Sequence, residues 1–393
     1  MNLLIKPASG LCNMRCRYCF YTDEMNRRET GSYGIMSDAT LRETVRRVFE
    51  YSEKDGFVGL MFQGGEPTLA GLDFYKRLME YIAEFNTKKL RVNLGLQTNG
   101  YDMTEEFAKF LADNKFLVGL SVDGTKDIHN ANRKDAAGKD TFGRVMHTAK
   151  LFDTYGVTYN TITVITSQTA RSATAIYNFF KKHGFVWQQY IPCLSPLGNS
   201  GGNSDVNPDG SAPEYDDNNT SEFLSAEEYG SFLCRIFDLW YSDMISGRYI
   251  YNRTFENYVG ILMGRHPEEC GMCGFCTVQY VLEADGGVYP CDFYVLDAYR
   301  LGNFVTDPLE DINRRADELG FVAESRQINE KCRTCRYVAL CRGGCRRNRE
   351  PFIVAEDGSK APALNRFCRS YEMFFEHSAD RLMTLARLAM RRG

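Results

Sequence analysis

Three cysteines near the amino terminus have the type and spacing that most clearly indicate chemistry. Cys12, Cys16 and Cys19 form a C-x3-C-x2-C array directly after a short apolar run. A four-iron cluster normally takes one cysteine thiolate per iron, so three cysteines leave one iron without a protein ligand. An open coordination position is what a catalytic metal needs. The array therefore predicts a cluster that binds a further ligand, with a fragment of a zinc site as the alternative.

The other cysteines also point to metal. The chain has fourteen, in groups of three at 12–19, four at 270–291 and five at 332–368, with Cys193 and Cys234 isolated. Because no export signal is recognisable, this number favours metal binding over disulfides. We expect a cytoplasmic iron–sulfur protein that is sensitive to oxygen.

Composition narrows the class of protein. The 393 residues are 44% hydrophobic and 13% aromatic, enough for two domains or one large barrel with an appendage. A net charge of −4 gives no preference for nucleic acid or anionic lipid. No run is long and apolar enough to span a membrane, and Met1–Lys6 is broken too early by Pro7 to read as a signal peptide.

Apolar runs and helical patterns alternate through the first two hundred residues. The predicted strands are Leu3–Lys6, Phe57–Phe62, Arg91–Gln97, Phe116–Val122, Tyr159–Ile165 and Phe185–Ile191. The predicted helices include one capped by Ser37, one capped by Thr104, and others near 72–86, 141–155 and 172–183. Six strand–helix units predict an α/β fold with a parallel sheet, and a partial (β/α)6 barrel fits them.

Polar motifs follow the predicted strands. They are Gln63–Pro67, Thr98–Gly100, Ser121–Gly124 and Pro192–Leu194. In such barrels functional groups collect at the carboxyl ends of the strands. Gly64 and Gly65 would let the backbone approach a ligand closely, and the Glu66 carboxylate could pair with an ammonium group. A plain turn is the alternative for this motif.

The middle of the chain contains a polar insert and a packing helix. Residues 198–220 are rich in Gly, Asn, Asp and Ser, which predicts a disordered insert, with a mobile lid as the alternative. Residues 226–245 carry aromatic residues at helical spacing, typical of a core helix. We therefore predict a barrel domain at 1–225 and a second, cysteine-rich domain at 226–393 with a C-terminal helix.

The first array, with Tyr18 inside its last C-x2-C, resembles that of the radical S-adenosylmethionine (SAM) enzymes. The resemblance implies that SAM chelates the open iron and that the fold is the partial barrel of that family. It also implies that Gly65 and Glu66 hold the SAM amino group. Further SAM contacts are implied at Tyr18, Ser121, Arg133 and Leu194, where Arg133 could clamp a carboxylate and Ser121 the ribose hydroxyls. A surface arginine and a strand-end serine are the alternatives.

The later cysteines resemble the motif of the SPASM domain, which is appended to radical SAM enzymes that modify peptides. The run Cys332-x2-Cys335-x5-Cys341-x3-Cys345 carries most of this resemblance. The resemblance implies two auxiliary [4Fe–4S] clusters, one on Cys270, Cys276, Cys291 and Cys345, and one on Cys332, Cys335, Cys341 and Cys368. Cys273 is then a spare thiol. A zinc ribbon is the alternative. The arginines among these cysteines, Arg342, Arg346, Arg347 and Arg349, either offset cluster charge or face solvent.

Four runs narrow the resemblance to the anaerobic sulfatase-maturating enzymes: Lys6–Ser9, Val281–Gly286, Cys291–Asp297 and Cys341–Arg347. The resemblance implies oxidation of a sulfatase cysteine or serine to Cα-formylglycine after a 5′-deoxyadenosyl radical abstracts a Cβ hydrogen. Asp292 is the implied base, with a simple turn cap as the alternative. Partners would be an unfolded or nascent sulfatase polypeptide and an electron donor such as ferredoxin or flavodoxin.

Two other functions are compatible with parts of the sequence. One is a SPASM enzyme that crosslinks a ribosomally made precursor peptide through a thioether, carbon–carbon or cyclophane bond. Many such enzymes carry a separate peptide-binding domain, and the predicted barrel starts at Leu3. The other is an electron-transfer protein without catalysis, which the set of implied SAM contacts argues against.

Overall fold

The computed structural model describes residues 1–197, 224–350, 352–354 and 360–392. Its strands are β1 (Asn2–Ile5), β2 (Met14–Cys16), β3 (Phe57–Phe62), β4 (Arg91–Thr98), β5 (Leu117–Ser121), β6 (Arg133–Asp135), β7 (Thr158–Ile165), β8 (Trp187–Pro192), β9 (Tyr251–Asn252), β10 (Val281–Leu282), β11 (Gly287–Tyr289), β12 (Gly302–Asn303), β13 (Phe352–Val354) and β14 (Lys360–Pro362).

Fifteen α-helices are present in the described residues. They are α1 (Phe20–Asn26), α2 (Asp38–Tyr51), α3 (Leu72–Phe85), α4 (Glu105–Asp113), α5 (Lys126–Asn132), α6 (Phe142–Tyr155), α7 (Ser167–Arg171), α8 (Ala173–Lys182), α9 (Ala226–Ile245), α10 (Arg253–Leu262), α11 (Leu309–Glu318), α12 (Phe321–Ser325), α13 (Glu330–Arg333), α14 (Val338–Cys341) and α15 (Cys368–Arg392).

The first of two compact units comprises Met1–Val122, Asn130–Asn160 and Thr277–Phe321. Its central strands β1, β3, β4 and β5 are parallel neighbours in that order. Strand β3 is apolar and largely buried, as expected for a parallel strand covered on both faces. On the other side of β1, strand β10 adds in parallel, with Leu4 beside Val281, and β11 and β12 continue antiparallel. Residues near 281 are thus built into the sheet that begins at residue 2.

The second unit comprises Asp123–His129, Thr161–Cys276 and Val322–Gly393. Strands β7, β8 and β9 pair in parallel within it. Helix α9 packs against α15, and the rings of Phe237, Phe255 and Phe374 lie 5.2–5.6 Å apart between centroids. This aromatic core matches the core helix predicted at 226–245.

The predicted secondary structure agrees closely with the structure. All six predicted strands are present within two residues of their bounds, and Ser37 and Thr104 cap their helices by accepting from Thr40 N and Phe107 N. The pattern did not predict α1 or the short antiparallel pair β2–β6. The insert at 198–220 lies outside the described residues.

The domain boundary at 225/226 stays a prediction, because each compact unit takes segments from both sides of it. Among the described residues, the structure contains no helix with the length and apolarity needed to cross a membrane.

Candidate active site

The first cysteine array lies between β1 and α1, in the first unit. Its centre is strand β2, which pairs with β6 so that Cys16 lies opposite Arg133. The Arg133 Nη1 atom is 3.9 Å from Cys16 Sγ, and the guanidinium carbon lies 5.4 Å from the centroid of the Tyr18 ring. Three predicted site residues therefore lie close together: Cys16, Tyr18 and, from more than a hundred residues later, Arg133.

Cys12 is held by the loop after β4. Its Sγ accepts from Met14 N at 3.4 Å and from Asn99 Nδ2 at 3.5 Å. Burial raises the pKa of Cys12 to about 11, although the Met14 N–H opposes the rise. The thiolate is thus unfavourable without a metal, and iron binding would supply the compensating charge.

The glycine pair packs against the backbone that leads into this array. Gly65 N donates to Ser9 O at 2.9 Å, and Glu66 N donates to Leu11 O at 2.8 Å. A Cβ at position 65 would lie 2.1 Å from Leu11 O, and a Cβ at Gly64 would lie 2.7 Å from Ser9 O. The sequence predicts close approach to a ligand here, and the structure shows that the glycines first allow close approach to the chain itself.

Glu66 connects the loops that follow β3 and β4. Its buried carboxylate accepts from Thr68 N at 3.1 Å and Thr68 Oγ1 at 2.7 Å, from Thr98 Oγ1 at 2.8 Å, and from Asn99 N at 2.7 Å. Burial raises the pKa of Glu66, and these hydrogen bonds oppose the rise. In the same unit, Ser121 Oγ accepts from Gln97 Nε2 at 3.1 Å. Leu194 follows β8 in the second unit.

Asp292 is buried in the first unit, in a short 3-10 helix directly after Cys291. Its Oδ2 accepts two hydrogen bonds, from Tyr21 Oη and from Gln63 Nε2, both at 2.7 Å. Burial raises the pKa of Asp292, and the positive charge of Lys6 is the strongest opposing influence. A carboxylate with a raised pKa is a better proton acceptor, which suits a general base.

A cluster of buried charged side chains lies near Asp292. Lys6 Nζ is 3.0 Å from a Glu283 oxygen and 3.7 Å from a Glu24 oxygen, and Arg28 Nη1 is 2.6 Å from Glu283. Lys6 also lies 4.8 Å from the centre of the Tyr21 ring. Burial raises the pKa of Glu24 to about 8 although Lys6 opposes it. Sequence reasoning missed this group, although a lysine ending an apolar strand and a glutamate between Leu282 and Ala284 were available signals.

In the second unit, four predicted ligands line one cavity. The empty volume of this cavity, including its part open to solvent, is about 380 Å³. It is lined by Cys332, Cys335, Cys341 and Cys368, together with Lys331, Tyr337, Val338, Gly343, Leu364, Tyr371 and Glu372. Burial raises the pKa of Cys341 to about 12, so this thiol also requires a metal to ionise near neutral pH.

Three further predicted ligands belong to the same unit. A Cβ at Gly271 would lie 3.6 Å from Cys345 Cβ, which brings Cys345 beside the segment that starts at Cys270. Cys276 N donates to Ser325 Oγ at 2.8 Å. Cys291, the fourth residue of the implied set, lies in the first unit.

The cysteines are available as metal ligands. All fourteen are free thiols. Within the part of the chain that the structure describes, no three His, Cys, Asp or Glu side chains are grouped to hold one metal ion. A four-iron cluster binds each thiolate at a different iron.

Comparison with known families agrees with this site. The Radical SAM superfamily matches residues 7–180, and the SPASM iron–sulfur cluster-binding domain matches residues 270–336. The chain is therefore a radical SAM enzyme with a SPASM domain. Over 387 residues it is 43% identical to the cysteine-type anaerobic sulfatase-maturating enzyme of Clostridium perfringens, covering 98% of both chains. It belongs to the family of anaerobic sulfatase-maturating enzymes.

Other relatives agree with this assignment. The serine-type enzyme of Bacteroides thetaiotaomicron is 30% identical, over 96% of this chain and 89% of its own. The solved structure described as native anSMEcpe with bound AdoMet and Cp18Cys peptide matches with a TM-score of 0.86, 43% identity and 99% coverage of both chains. Streptococcus suis SuiB bound to precursor peptide SuiA matches at 17% identity with a TM-score of 0.57, over 88% of this chain and 72% of its own, which shows the fold alone.

These findings confirm several predictions. The fold is the predicted α/β partial barrel followed by a SPASM domain, and the cofactors are [4Fe–4S] clusters and SAM, three clusters in all. The crosslinking alternative is not favoured. The individual assignments of ligands, SAM contacts and the base stay predictions.

Proposed function

We propose that this enzyme oxidises an active-site cysteine of a sulfatase to Cα-formylglycine. The observation that carries the proposal is the 43% identity to a cysteine-type enzyme across 98% of both chains. Identity to the serine-type relative is lower, at 30%. The cysteine is therefore the preferred target. The oxidation of a serine differs in that the side-chain oxygen is kept, whereas the sulfur of a cysteine is replaced by oxygen.

Cys12, Cys16 and Cys19 would hold the cluster that binds SAM. When bound, the reduced cluster and SAM supply a 5′-deoxyadenosyl radical that abstracts a hydrogen atom. The Gly65 backbone shapes the loop against residues 9–11, and Arg133 and Tyr18 lie beside Cys16. Arg133 could pair with the SAM carboxylate, because a guanidinium binds a carboxylate through two parallel hydrogen bonds.

Asp292 would accept the proton that the target hydroxyl or thiol loses when the C=O or C=S double bond forms at Cβ. Its Oδ2 is held by Tyr21 and Gln63, and Oδ1 is buried with no hydrogen-bond partner among the described residues. A buried carboxylate oxygen without a donor is unfavourable, so it is a natural place for a proton. Proton transfer by a positioned group typically contributes about 10²–10⁴ in rate.

The partners follow from the same chemistry. The substrate would be an unfolded or nascent sulfatase segment, and a small electron carrier such as ferredoxin or flavodoxin would reduce the first cluster. Two further sets of four cysteines would hold the auxiliary clusters, which would supply a site for the electron released on oxidation: Cys270, Cys276, Cys291 and Cys345, and Cys332, Cys335, Cys341 and Cys368. Fourteen free thiols support a cytoplasmic location, where thiols remain reduced.

The deciding experiment is anaerobic incubation with SAM, a reductant and matched sulfatase peptides that differ only in cysteine or serine at the target position. Mass spectrometry should show the cysteine peptide exchanging sulfur and two hydrogens for oxygen, which is formylglycine formation. The serine peptide, if used, should lose only two hydrogens. Deoxyadenosine production with no mass change in either peptide would contradict the proposal and favour another peptide substrate.

A further inference from the structure

Three of the four arginines among the SPASM cysteines are buried. Arg346 and Arg347 are each 4% exposed and Arg349 is 3% exposed, whereas Arg342 is half-buried. A buried guanidinium is costly unless the structure compensates its charge. The sequence alone left open whether these arginines offset cluster charge or face solvent, and their burial excludes solvent exposure.

The three buried arginines differ in how their charge is compensated. Arg346 Nη2 is 2.8 Å from a Glu324 carboxylate oxygen, and the Glu350 carboxylate lies 3.8 Å from Arg346 Nε and 3.9 Å from Arg347 Nη1. Arg349 instead donates to two neutral carbonyls, from Nη1 to Gln327 O at 2.8 Å and from Nη2 to Ser325 O at 2.9 Å. Its buried Nε has no hydrogen-bond partner among the described residues, and no carboxylate there forms an ion pair with it. Arg349 therefore keeps an uncompensated positive charge in the interior.

Arg349 contacts segments that neighbour predicted ligands of both groups in the second unit. Ser325, whose carbonyl accepts from Arg349, also accepts the Cys276 N–H at its Oγ. On the other side, a Cβ at Gly343 would lie 3.6 Å from Arg349 Nη1, and Gly343 falls between Cys341 and Cys345 in the chain.

The same contacts bring both arginines close to the predicted ligands. Arg349 is connected through Ser325 to the segment of Cys276, and through Gly343 to the segment that carries Cys341 and Cys345. Arg346 directly follows Cys345 in the chain and pairs with Glu324, the residue before Ser325.

We propose that Arg349 is a redox-tuning residue shared by the two auxiliary clusters, and that Arg346 adds to its effect at the cluster of Cys276 and Cys345. Each cluster gains one electron on reduction and becomes more negative. A buried positive charge stabilises that reduced form and raises the reduction potential. The two arginines would thereby make the auxiliary clusters better electron acceptors. The proposal rests on the auxiliary clusters and not on the peptide that the enzyme modifies.

The test is an anaerobic potentiometric titration of the full, cluster-loaded chain, followed by electron paramagnetic resonance. Arg349→Gln removes the charge, and we expect both auxiliary clusters to shift to more negative potentials while the cluster at Cys12, Cys16 and Cys19 stays unchanged. Arg349→Lys keeps the charge and should keep both potentials near those of the wild type. Arg336→Gln is the matched control, because that side chain is 70% exposed and solvent screens it.

A second variant tests the sign of the effect without touching Arg349. Glu324→Gln removes the nearer of the two carboxylates that pair with Arg346, so the local charge becomes more positive. We expect the potential of the cluster at Cys276 and Cys345 to rise. This variant and Arg349→Lys decide the matter if Arg349→Gln fails to bind iron.

Several results would overturn the proposal. Fully loaded Arg349→Gln with unchanged auxiliary potentials would remove the role of that charge. Equal shifts in the Lys and Gln variants would assign the effect to packing. A Glu324→Gln potential that falls or stays constant would contradict the electrostatic mechanism. A failed sulfatase-peptide assay would leave all these measurements interpretable.

Discussion

The two cysteine-rich regions differ most in the buried charges that accompany them. In the first unit, Lys6 and Arg28 pair with Glu283, and Glu24 and Asp292 are carboxyl groups whose pKa burial raises. In the second unit Lys331 and Glu372 each lie 3.8 Å from Cys368 Sγ, and the buried Arg349 donates only to carbonyl groups. The first arrangement suits the movement of a proton, and the second suits the uptake of an electron.

The regions also differ in how the chain builds them. Cys12, Cys16 and Cys19 come from one short segment whose shape is fixed by backbone contacts to Gly65 and by pairing with β6. The cavity of the second unit combines Cys332, Cys335 and Cys341 with Cys368 from the start of α15. A local array with three ligands leaves one iron open, whereas four ligands close a cluster.

The largest expected effect comes from removing one region at a time. Replacing Cys12, Cys16 and Cys19 by Ala should abolish deoxyadenosine formation and leave about two-thirds of the iron, because two four-iron clusters remain. Replacing Cys332, Cys335 and Cys341 should remove a similar share of iron but preserve SAM cleavage. Iron per chain and chromatographic detection of deoxyadenosine measure both outcomes.

Cys234→Ala is the control for these variants, because this thiol is not a predicted ligand. Its Sγ donates to Met373 O at 3.7 Å. It should bind the full amount of iron and cleave SAM normally. Equal loss of SAM cleavage from both triple variants would show that the two regions are not separable.

Asp292→Asn should separate proton transfer from radical formation. The amide keeps the shape of the side chain but cannot accept the proton, so aldehyde formation should fall by about 10²–10⁴. Deoxyadenosine should still be produced, as seen by parallel chromatography and peptide mass spectrometry. Asp297→Asn is a control in the same segment, where the carboxylate accepts from Glu29 N. Wild-type aldehyde yield in the Asp292 variant would remove this residue from the mechanism.

Gly65→Ala tests the backbone contact that shapes the first region. The added Cβ would lie 2.1 Å from Leu11 O, so the loop must move. We expect a loss of about 1–3 kcal/mol in the free energy of unfolding and poor loading of the first cluster, with the auxiliary clusters retained. Thermal unfolding and iron content measure these effects.

Gly143→Ala provides the matched comparison, because among the described residues outside its own helical turn no heavy atom lies within 4 Å of a Cβ at that position in α6. It should be neutral, or stabilising by about 0.5–1 kcal/mol. If Gly65→Ala were equally benign, the close packing on residues 9–11 would have no role in cluster binding.

The smallest expected effect is a shift in pH dependence. The Tyr21 hydroxyl donates to Asp292 and lowers the pKa of that carboxyl, so Tyr21→Phe should raise the pKa further. The base is active only when deprotonated, and aldehyde formation should therefore reach its half-maximum at a higher pH than in the wild type, with little change at high pH. The pH profile of aldehyde yield measures the shift.

Tyr101→Phe serves as the control for that profile, since its hydroxyl donates to Asp135 instead. Its half-maximal pH should match the wild type. A Tyr21→Phe profile that moved to lower pH, or that did not move, would contradict the proposed role of the Tyr21 hydrogen bond.

Sequence reasoning predicted the parts that depend on local pattern. Alternating apolar runs and helical periodicity predicted the strands and α9. Cysteine spacing predicted a cluster with an open iron, and the family resemblance implied SAM and the auxiliary clusters. The link from Cys16 to Arg133 could not be predicted in this way, because β2 and β6 have three residues each. Strands so short leave no recognisable pattern, and only tertiary packing selects their partner.

The buried charges were harder still to predict. Lysine, glutamate and arginine usually lie at the surface, so the apolar neighbours of Lys6 and Glu283 are only a weak signal of burial, and Arg349 has no such signal. The groups that compensate these buried charges come from distant parts of the sequence. Ser325 and Gln327, for example, provide the carbonyls for Arg349 from more than twenty residues earlier. Only the tertiary structure distinguishes the two roles that the sequence left open for this arginine.

The pairing of β1 with β10 has a consequence for synthesis of the protein. Leu4 and Val281 are neighbours in the sheet, so the first unit cannot complete that edge until nearly three hundred residues have been translated. At about 5–20 residues per second this takes roughly 15–60 s on the ribosome. During that interval the segment with Cys12, Cys16 and Cys19 has been translated, but the sheet beside it is still incomplete. Insertion of the first cluster would then follow translation of the segment that contains Val281.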